Sequence, residues 1–460
     1  MTSAEALKKI DTTISNSQWV ATFGAFLLMV QTGIIQSWGS PNLPRLQSAN
    51  STIPTTEEQA SWLTSLSSIG GIPGALIGSI LTGLIGSRKN MIMTIMSLAV
   101  SWLCIILADS VTWLFVARFM SGIGTGMSYA CYPFFLGEVA TPSARGTLIT
   151  LASGGNAVGM CIGVVIETYL TMKISSLMHL SQCLLTVLLL LVLPDTPYYF
   201  VKKKNIESAR GSVAFYHSKS NADEELNEIK KFIEMNDCKV DKSKFSALKT
   251  KAVCKANCYI ITLSSLPALA NIVAIRTYME TFLRKGNVTI INPQPFVIYS
   301  TIVGAVGVIL ALLLIDKVGR RFLLILSSLG LTLALVFLGS YFYLFKLGYE
   351  GLHLQWLVIF ALTLYSLTFS IGFYPVPSTI LGEIYPQHLK SIGGCLSGVV
   401  ASTTLSITSK AYQNMVSVVG EAFVFWLHAL LCTLAIPFAI FILPETKGKT
   451  FREIQMILAK

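Results

Sequence analysis

Two short stretches decide the fold of this chain: Pro194-Asp195-Thr196-Pro197 and Pro444-Glu445-Thr446-Lys447-Gly448-Lys449-Thr450. Each stretch directly follows a set of six long apolar segments. Charged residues recur in the same order before each stretch, as Glu138 and Arg145 in the first set and as Glu383 and Lys390 in the second. The repetition indicates that the chain consists of two related halves.

Twelve apolar runs separate the polar segments of the 460-residue chain. A helix needs about 20 apolar residues to cross a hydrocarbon layer of roughly 30 Å. Strands of a membrane barrel alternate polar and apolar residues, and these runs do not alternate. We therefore predict an all-α membrane protein with twelve transmembrane helices in two pseudo-symmetric six-helix halves. The runs lie near residues 19–38, 62–84, 90–108, 111–135, 147–167, 174–193, 256–283, 296–315, 322–345, 355–381, 392–412 and 421–443.

The basic residues cluster in segments that share one side of the membrane if twelve helices alternate in direction. Examples are Arg88 and Lys89 after the second run, and Arg320 and Arg321 after the eighth. The positive-inside rule places this side, and both termini, in the cytoplasm. The predicted segments are a cytoplasmic N-terminus (1–18), an N-terminal half (19–197), a cytoplasmic linker with short helices (198–255), a C-terminal half (256–443) and a cytoplasmic tail (444–460).

The net charge of +11 is explained by the basic residues that cluster on the cytoplasmic side. The expected partner is therefore the lipid bilayer, and nucleic-acid binding is not expected. Two glycosylation sequons, at Asn50 and Asn287, fall in loops that the topology places outside the cell. The longest outside loop, Gly39 to Ala60, contains three prolines, which predicts little regular structure there. No metal-ligand spacing or catalytic constellation is apparent, so we expect no enzyme activity, cofactor or metal.

Arg118 begins a motif of small residues, Gly122, Gly124 and Gly126, on the predicted fourth helix. Small residues at this spacing let helix backbones approach closely. This glycine motif and the repeated motifs together resemble those of the sugar porter branch of the major facilitator superfamily, and the resemblance covers nearly the whole chain. The stretches 38–44 and 58–65 are further similar to insect facilitated trehalose transporters. The motifs that carry the resemblance are Arg118…Gly126, Glu138…Arg145-Gly146, Pro194…Pro197, Asp316…Arg321, Pro375-Val376-Pro377…Pro386 and Pro444…Thr450.

The resemblance implies facilitative transport of a sugar, such as trehalose or a hexose, by alternating access at the plasma membrane. It also implies a cytoplasmic charge network that holds the carrier closed beneath the sugar and opens when the carrier turns inward. Permanent salt bridges at helix ends are the alternative. Ser87 replaces an arginine of the family pattern and Gly83 replaces an acid, which weakens the N-terminal part of the network. The residues assigned to this network are Arg88, Arg118, Glu138, Arg145, Asp316, Arg320, Arg321, Glu383, Lys390 and Glu445.

Gln31 occupies the place where proton-coupled members of the family carry an aspartate in the first helix. An amide does not titrate, so the sequence favours uniport over proton symport. The sugar-binding amides and the tryptophan of the family are mostly replaced by small residues here. The candidate substrate-binding residues are Gln31, Gln36, Ser153, Asn156, Asn271, Arg276, Ser378, Thr379 and Ser402.

Arg276 is a charged residue inside the predicted seventh helix, and intramembrane charges are functional candidates by default. Three interpretations stay open. Arg276 binds an anionic or polyhydroxylated substrate, gates the outer mouth, or pairs with Glu280 one helical turn away. The same residues leave two alternative functions open. One is a carrier of a different small solute, an organic anion or a polyol, and the other is a non-transporting sensor on a carrier fold.

Overall fold

The first half of the chain is a bundle of helices in the computed structural model. The model describes residues 15–48, 51–141, 144–217, 222–237, 251–349, 351–385 and 390–447, and residue 458. Every regular element in the described part is helical. The helices of the first half are α1 (Asn16–Ser37), α2 (Gly39–Leu46), α3 (Glu57–Ile85), α4 (Ser87–Ile106), α5 (Val111–Val139), α6 (Arg145–Tyr169) and α7 (Met172–Val192).

The described part of the linker between the halves contains three short helices. They are α8 (Pro197–Lys202), α9 (Ile206–Tyr216) and α10 (Ala222–Asp237). Val213, Ile229 and Ile233 form a small apolar cluster that holds α9 and α10 together. The hydroxyl of Ser15, just before α1, donates to the carbonyl of Tyr216 at 2.6 Å. The linker therefore packs at the end of the bundle where the first helix begins, called here the terminal end.

The second half repeats the six-helix pattern, but two of its long helices are interrupted. Its elements are α11 (Lys251–Leu269), α12 (Ile272–Thr277), α13 (Met279–Lys285), α14 (Pro293–Val318), α15 (Arg320–Lys346), α16 (Leu352–Thr368), a π-helical turn (Phe369–Phe373), α17 (Pro375–Ile384), α18 (Lys390–Val419), α19 (Glu421–Pro437) and a second π-helical turn (Phe438–Ile442).

The predicted twelve-helix fold is confirmed. Eleven helical segments of the described chain are long and apolar enough to cross a membrane. The twelfth is α5, which has 29 residues and carries the glycine motif. Counted along the chain, span 7 consists of α11 and α12, and span 10 consists of α16, its π-helical turn and α17.

Helix α2 contradicts the prediction that the loop after the first span lacks regular structure. Contacts with the end of α6 stabilise it. Arg45 Nη1 donates to the carbonyls of Glu167 at 2.7 Å and Leu170 at 2.8 Å. Asn42 Nδ2 donates to the Glu167 carboxylate at 2.8 Å. Tertiary hydrogen bonds therefore outweigh the two prolines inside α2, Pro41 and Pro44, of which Pro41 lies in the first turn, where proline is tolerated.

The two halves touch each other at the end of the bundle away from the termini, called here the opposite end. Ser65 Oγ of α3 lies 3.4 Å from Ser409 Oγ of α18. Thr64 Oγ1 lies 3.4 Å from the Tyr278 hydroxyl. The Lys410 ammonium lies 4.0 Å from the centre of the Trp62 ring. These contacts close the bundle at the opposite end.

Candidate functional site

A cavity lies between the two halves, with walls from spans 1 and 5 on one side and from spans 7, 8 and 10 on the other. Most of its lining is apolar or aromatic, as expected of a small-molecule site. Three of the predicted substrate-binding residues line it, namely Gln36, Asn156 and Arg276. The other polar lining side chains include Ser300, Ser366, Ser370 and Tyr374.

Asn156 joins the two halves across this cavity. Its Nδ2 donates to Thr32 Oγ1 of span 1 at 3.0 Å. Its Oδ1 accepts from the Tyr374 hydroxyl of span 10 at 3.3 Å. The side chain of Asn156 is buried. A movement of one half relative to the other would therefore break or lengthen its hydrogen bond to Tyr374.

Span 7 is broken beside the cavity, and the break positions Arg276. Helix α11 ends at Leu269, and Asn271 has a left-handed φ of 60° before α12 begins. The Tyr365 hydroxyl donates to the carbonyl of Ala270 at 2.7 Å. His428 Nδ1 lies 2.8 Å from the carbonyl of Leu269. These bonds satisfy carbonyl groups that the broken helix would leave unpaired.

The side chain of Arg276 extends from α12 into the cavity. Its guanidinium carbon lies 5.3 Å from the centre of the Phe369 ring. Its Nη1 lies 3.6 Å from the Met160 sulfur in the other half. Glu280 instead binds Arg284, with 2.7 Å between Nη2 and Oε1. The alternative in which Arg276 pairs with Glu280 is therefore wrong.

Gln31 does not line the cavity, contrary to expectation. Its Nε2 donates to the His179 carbonyl at 2.9 Å and also contacts Gln182. Its Oε1 accepts from Trp102 Nε1 at 3.0 Å. All of these partners belong to the first half, so Gln31 is placed in the packing between spans 1, 3 and 6.

The remaining predicted binding residues lie outside the cavity lining. Ser153, Ser378 and Thr379 donate their hydroxyls to carbonyls of their own helices, at 2.7–2.9 Å. Ser402 faces Gly71 where α3 and α18 pack together. Asn271 is buried at the helix break, and its Nδ2 has no hydrogen-bond partner. The aromatic residues that do line the cavity, Tyr365, Phe369 and Tyr374, were missed because their apolar run resembles ordinary helix packing.

Glu167 was not predicted from the sequence either. Its carboxylate is fully buried near the opposite end and lies 3.3 Å from His179 Nε2. It also accepts from Ser175 at 2.9 Å. The signal was present, because Glu167 is the one acidic residue at the end of the fifth apolar run. Through these contacts and the hydrogen bond from Asn42, the Glu167 carboxylate connects α2, α6 and α7 near the opposite end.

The residues assigned to a charge network in the first half form contacts within that half. Arg88 Nε lies 3.1 Å from Asp195 Oδ1. The Glu138 carboxylate accepts from Thr196 at 2.6 Å and from Ser87 at 3.1 Å.

Arg118 does not lie with these residues. It donates to the carbonyls of Leu63 and Ile35, at 3.1 and 3.3 Å, and its guanidinium stacks on the Trp38 ring. Its assignment to the terminal network is therefore corrected to a packing role in the bundle.

The corresponding residues of the second half also bind each other. Arg320 Nη2 lies 2.7 Å from Glu383 Oε1. The Glu445 carboxylate accepts from the backbone N–H groups of Arg320 at 3.2 Å and Arg321 at 3.1 Å. The three ion pairs Arg88–Asp195, Lys89–Asp195 and Arg320–Glu383, all at the terminal end, therefore join partners of the same half.

Three predicted residues are described only in part or not at all, and Arg145 lacks a hydrogen bond at one nitrogen. Arg145 Nε is buried without a hydrogen-bond partner. The side chains of Asp316 and Lys390 and the whole of Asn50 lie outside the described residues. Asn287, the second predicted glycosylation site, is exposed at the opposite end with a left-handed φ of 53°. Within the described ranges, no three His, Cys, Asp or Glu side chains come together as a metal site would require.

Glu445 stabilises the start of α15 as an acidic cap. Burial alone would raise the pKa of Glu445, but the backbone N–H groups of Lys447, Arg321 and Arg320 outweigh it and hold the pKa below its ordinary value. The free N–H groups at a helix start favour a negative charge.

We expect Glu445→Gln to lower the unfolding temperature of the protein in detergent by a few degrees at about pH 7. A depressed pKa gives stability that is present above the unfolded value of about 4.3 and is lost as pH falls through the folded value. Thermal unfolding of both proteins between about pH 7 and about pH 3 checks this. A gap between the two proteins that stays constant over this range would contradict it.

Twelve helices in two related halves, with a cavity between them that polar side chains of both halves help to line, define a secondary transporter of the major facilitator fold. Residues 18–458 match the family described as "Sugar (and other) transporter". The chain belongs to this sugar transporter family.

The similar proteins agree on both fold and family. The facilitated trehalose transporter Tret1 of Bombyx mori is 27% identical over 441 residues, which cover 96% of this chain and 87% of that protein. Tret1 of Aedes aegypti is 26% identical, with 95% of this chain matching 55% of that protein. The proton:xylose symporter XylE bound to 6-bromo-6-deoxy-D-glucose has a TM-score of 0.76 at 19% identity, covering 96% of this chain and 99% of XylE. A partially occluded inward open form of XylE from E. coli also has a TM-score of 0.76 at 19% identity, covering 95% and 100%.

Proposed function

We propose that this protein is a facilitative carrier, a uniporter, that moves a sugar such as trehalose or a hexose by alternating access. The observation that carries the proposal is the cavity between the halves, which is lined by polar groups of both and closed at the opposite end. An alternating-access carrier holds its substrate at such an interface and rocks one half against the other. The trehalose transporters among its relatives support a sugar as substrate, and none of the features described calls for an enzyme.

The environment of Gln31 and Arg118 supports uniport. Both donors and the acceptor of the Gln31 amide are used within the first half. Arg118 binds backbone carbonyls, which do not titrate. A proton-coupled cycle would need a carboxylate that exchanges partners beside the substrate, and the described lining of the cavity contains none. Uptake is therefore expected to be independent of an imposed proton gradient.

We further propose that the terminal end faces the cytoplasm of a plasma-membrane protein, with the five segments at the bounds given above. The basic residues of the terminal end and the exposed Asn287 at the opposite end support this orientation. The closed opposite end then corresponds to an inward-facing state. In this proposal, the charged groups now bound within each half, among them Glu138, Glu383 and Arg320, exchange partners across the halves when the terminal end closes.

The test of function is uptake of labelled trehalose and glucose into oocytes that express the chain, with surface expression measured in parallel. Saturable uptake of either sugar is the expected result. No uptake at normal surface expression would contradict the proposal. It would then favour a carrier of another solute or a sensor.

Asn156→Ala is expected to reduce sugar uptake at low concentration by about tenfold. The variant removes one polar group of the cavity and leaves the Tyr374 hydroxyl without its partner, a loss of about 1–3 kcal/mol. Ser153→Ala, one turn away on the same helix, is the matched control. Its hydroxyl bonds only to its own helix, so uptake should stay unchanged. Equal uptake by the two variants would exclude Asn156 from the site.

A further inference from the structure

The cavity contains a positive charge without a negative partner. Arg276 is the one charged side chain among the described residues that line the cavity. The carboxylate closest to it along the chain, Glu280, is buried and is bound by Arg284. A guanidinium in a low-dielectric site is unfavourable unless it is paired. The structure therefore leaves one anion-binding position open in the space that the substrate must pass.

The contacts of Arg276 do not neutralise its charge. The Phe369 ring gives the guanidinium a cation–π contact and the Met160 sulfur is a weak acceptor, but neither group carries a negative charge. Meanwhile, the break in span 7 is held by Tyr365 and His428, two residues from other spans. This construction fixes the start of α12 and so directs Arg276 toward the cavity.

The neutral groups near Arg276 suit hydroxyl groups. Asn156 and Gln36 offer amides, and Tyr374 offers a phenol. Ser300 and Ser366 bind each other at 2.6 Å between their oxygens, and each keeps capacity for a further hydrogen bond. A ligand with several hydroxyls and one negative charge would satisfy both parts of the lining. A single guanidinium binds a carboxylate in a two-point fork, whereas a phosphate dianion would bring a second charge that no lining residue offsets.

We propose that the preferred substrate is a monocarboxylated sugar, an acidic monosaccharide of the uronate class, with its carboxylate bound by Arg276. This inference rests on the proposed function and names the substrate class of the same site. Movement of such an anion by a uniporter carries one negative charge per molecule. Its uptake therefore produces an outward current, whereas uptake of a neutral sugar produces none.

The experiment measures the uptake of labelled glucuronate and of labelled glucose, together with the membrane current, in voltage-clamped oocytes. The oocytes express the unaltered chain, the variant Arg276→Gln or the variant Arg276→Lys. The unaltered chain should take up glucuronate saturably with an outward current, and glucuronate should inhibit glucose uptake. Arg276→Gln should lose at least about tenfold of glucuronate uptake, because removal of one partner of a charge pair is costly. The ratio of glucuronate uptake to glucose uptake should therefore fall, whatever glucose uptake Arg276→Gln retains. Arg276→Lys keeps the charge and should restore part of the glucuronate uptake.

Three results would overturn the inference. If the unaltered chain takes up glucose and glucuronate neither enters nor inhibits, the carrier is a sugar transporter but its site does not bind acidic sugars. If Arg276→Gln takes up glucuronate as well as the unaltered chain, Arg276 does not bind the carboxylate. If neither sugar is taken up at normal surface expression, the proposed function fails and this inference fails with it. Competition on the unaltered chain decides the question even if a variant does not fold.

Discussion

Gly122→Ala is expected to destabilise the protein strongly, whereas Gly137→Ala on the same helix is expected to have almost no effect. A methyl group at position 122 would overlap the carbonyl oxygen of Ser67 on α3, and Gly70 lies against the same site. Backbone atoms do not move aside as the end of a flexible side chain does. Around Gly137, no heavy atom beyond its own helix lies within 4 Å of the added methyl group.

Forcing additional atoms into a packed interface costs about 1–3 kcal/mol, and occasionally more. A loss of this size lowers the ratio of folded to unfolded protein by about fivefold or more. Alanine has the higher helix propensity, so Gly137→Ala should be neutral or slightly stabilising. Thermal unfolding in detergent and surface expression measure both effects. If the two variants behave alike, α3 and α5 are not packed as closely as described here.

The double variant Ser65→Cys with Ser409→Cys is expected to lose nearly all transport on oxidation and to regain it on reduction. The two hydroxyl oxygens lie 3.4 Å apart, on α3 and α18 of different halves. Such a separation is compatible with a disulfide, which requires β-carbons about 3.5–4.5 Å apart. A covalent bond at this place holds the opposite end closed, and alternating access requires that end to open.

Labelled sugar uptake before oxidation, after oxidation and after reduction measures the expected loss, and mass spectrometry of the linked peptides verifies the bond. Each single variant in the same background controls for the nine native cysteines and should be insensitive to oxidation. A bond that forms in full while uptake continues would contradict the proposal that this end is a gate.

The sequence was sufficient to predict the twelve spans, because run length and charge placement depend on the bilayer alone. The sequence also predicted that helix backbones approach closely at the glycine motif, and Gly122 does lie against the backbone of α3. The break at Asn271 was not predictable. The apolar run from 256 to 283 is continuous, and the residues that support the break, Tyr365 and His428, are distant in sequence.

The candidate site was predicted less completely than the fold. Gln36, Asn156 and Arg276 line the cavity, whereas the partners of Gln31, Trp102 and Gln182, make it part of the helix packing. Sequence places a polar residue in a span but does not show which face it presents once neighbouring spans offer hydrogen bonds. The helix α2 was missed for the same reason, because its stabilising partners belong to α6.

The π-helical turn Phe369–Phe373 sets the angular relation between the two parts of span 10. Its backbone bond runs from the Tyr374 N–H to the Phe369 carbonyl, five residues back, at 3.1 Å, so the turn holds one residue more than an α-helical turn. Each residue of an α-helix rotates the chain by about 100°. Loss of one residue here would thus turn α17 about its axis and remove Glu383 from Arg320, without changing either residue. The extra residue of this turn therefore fixes the rotation of α17 relative to α16. In this way the position of Glu383 at the terminal end depends on the backbone of the cavity wall.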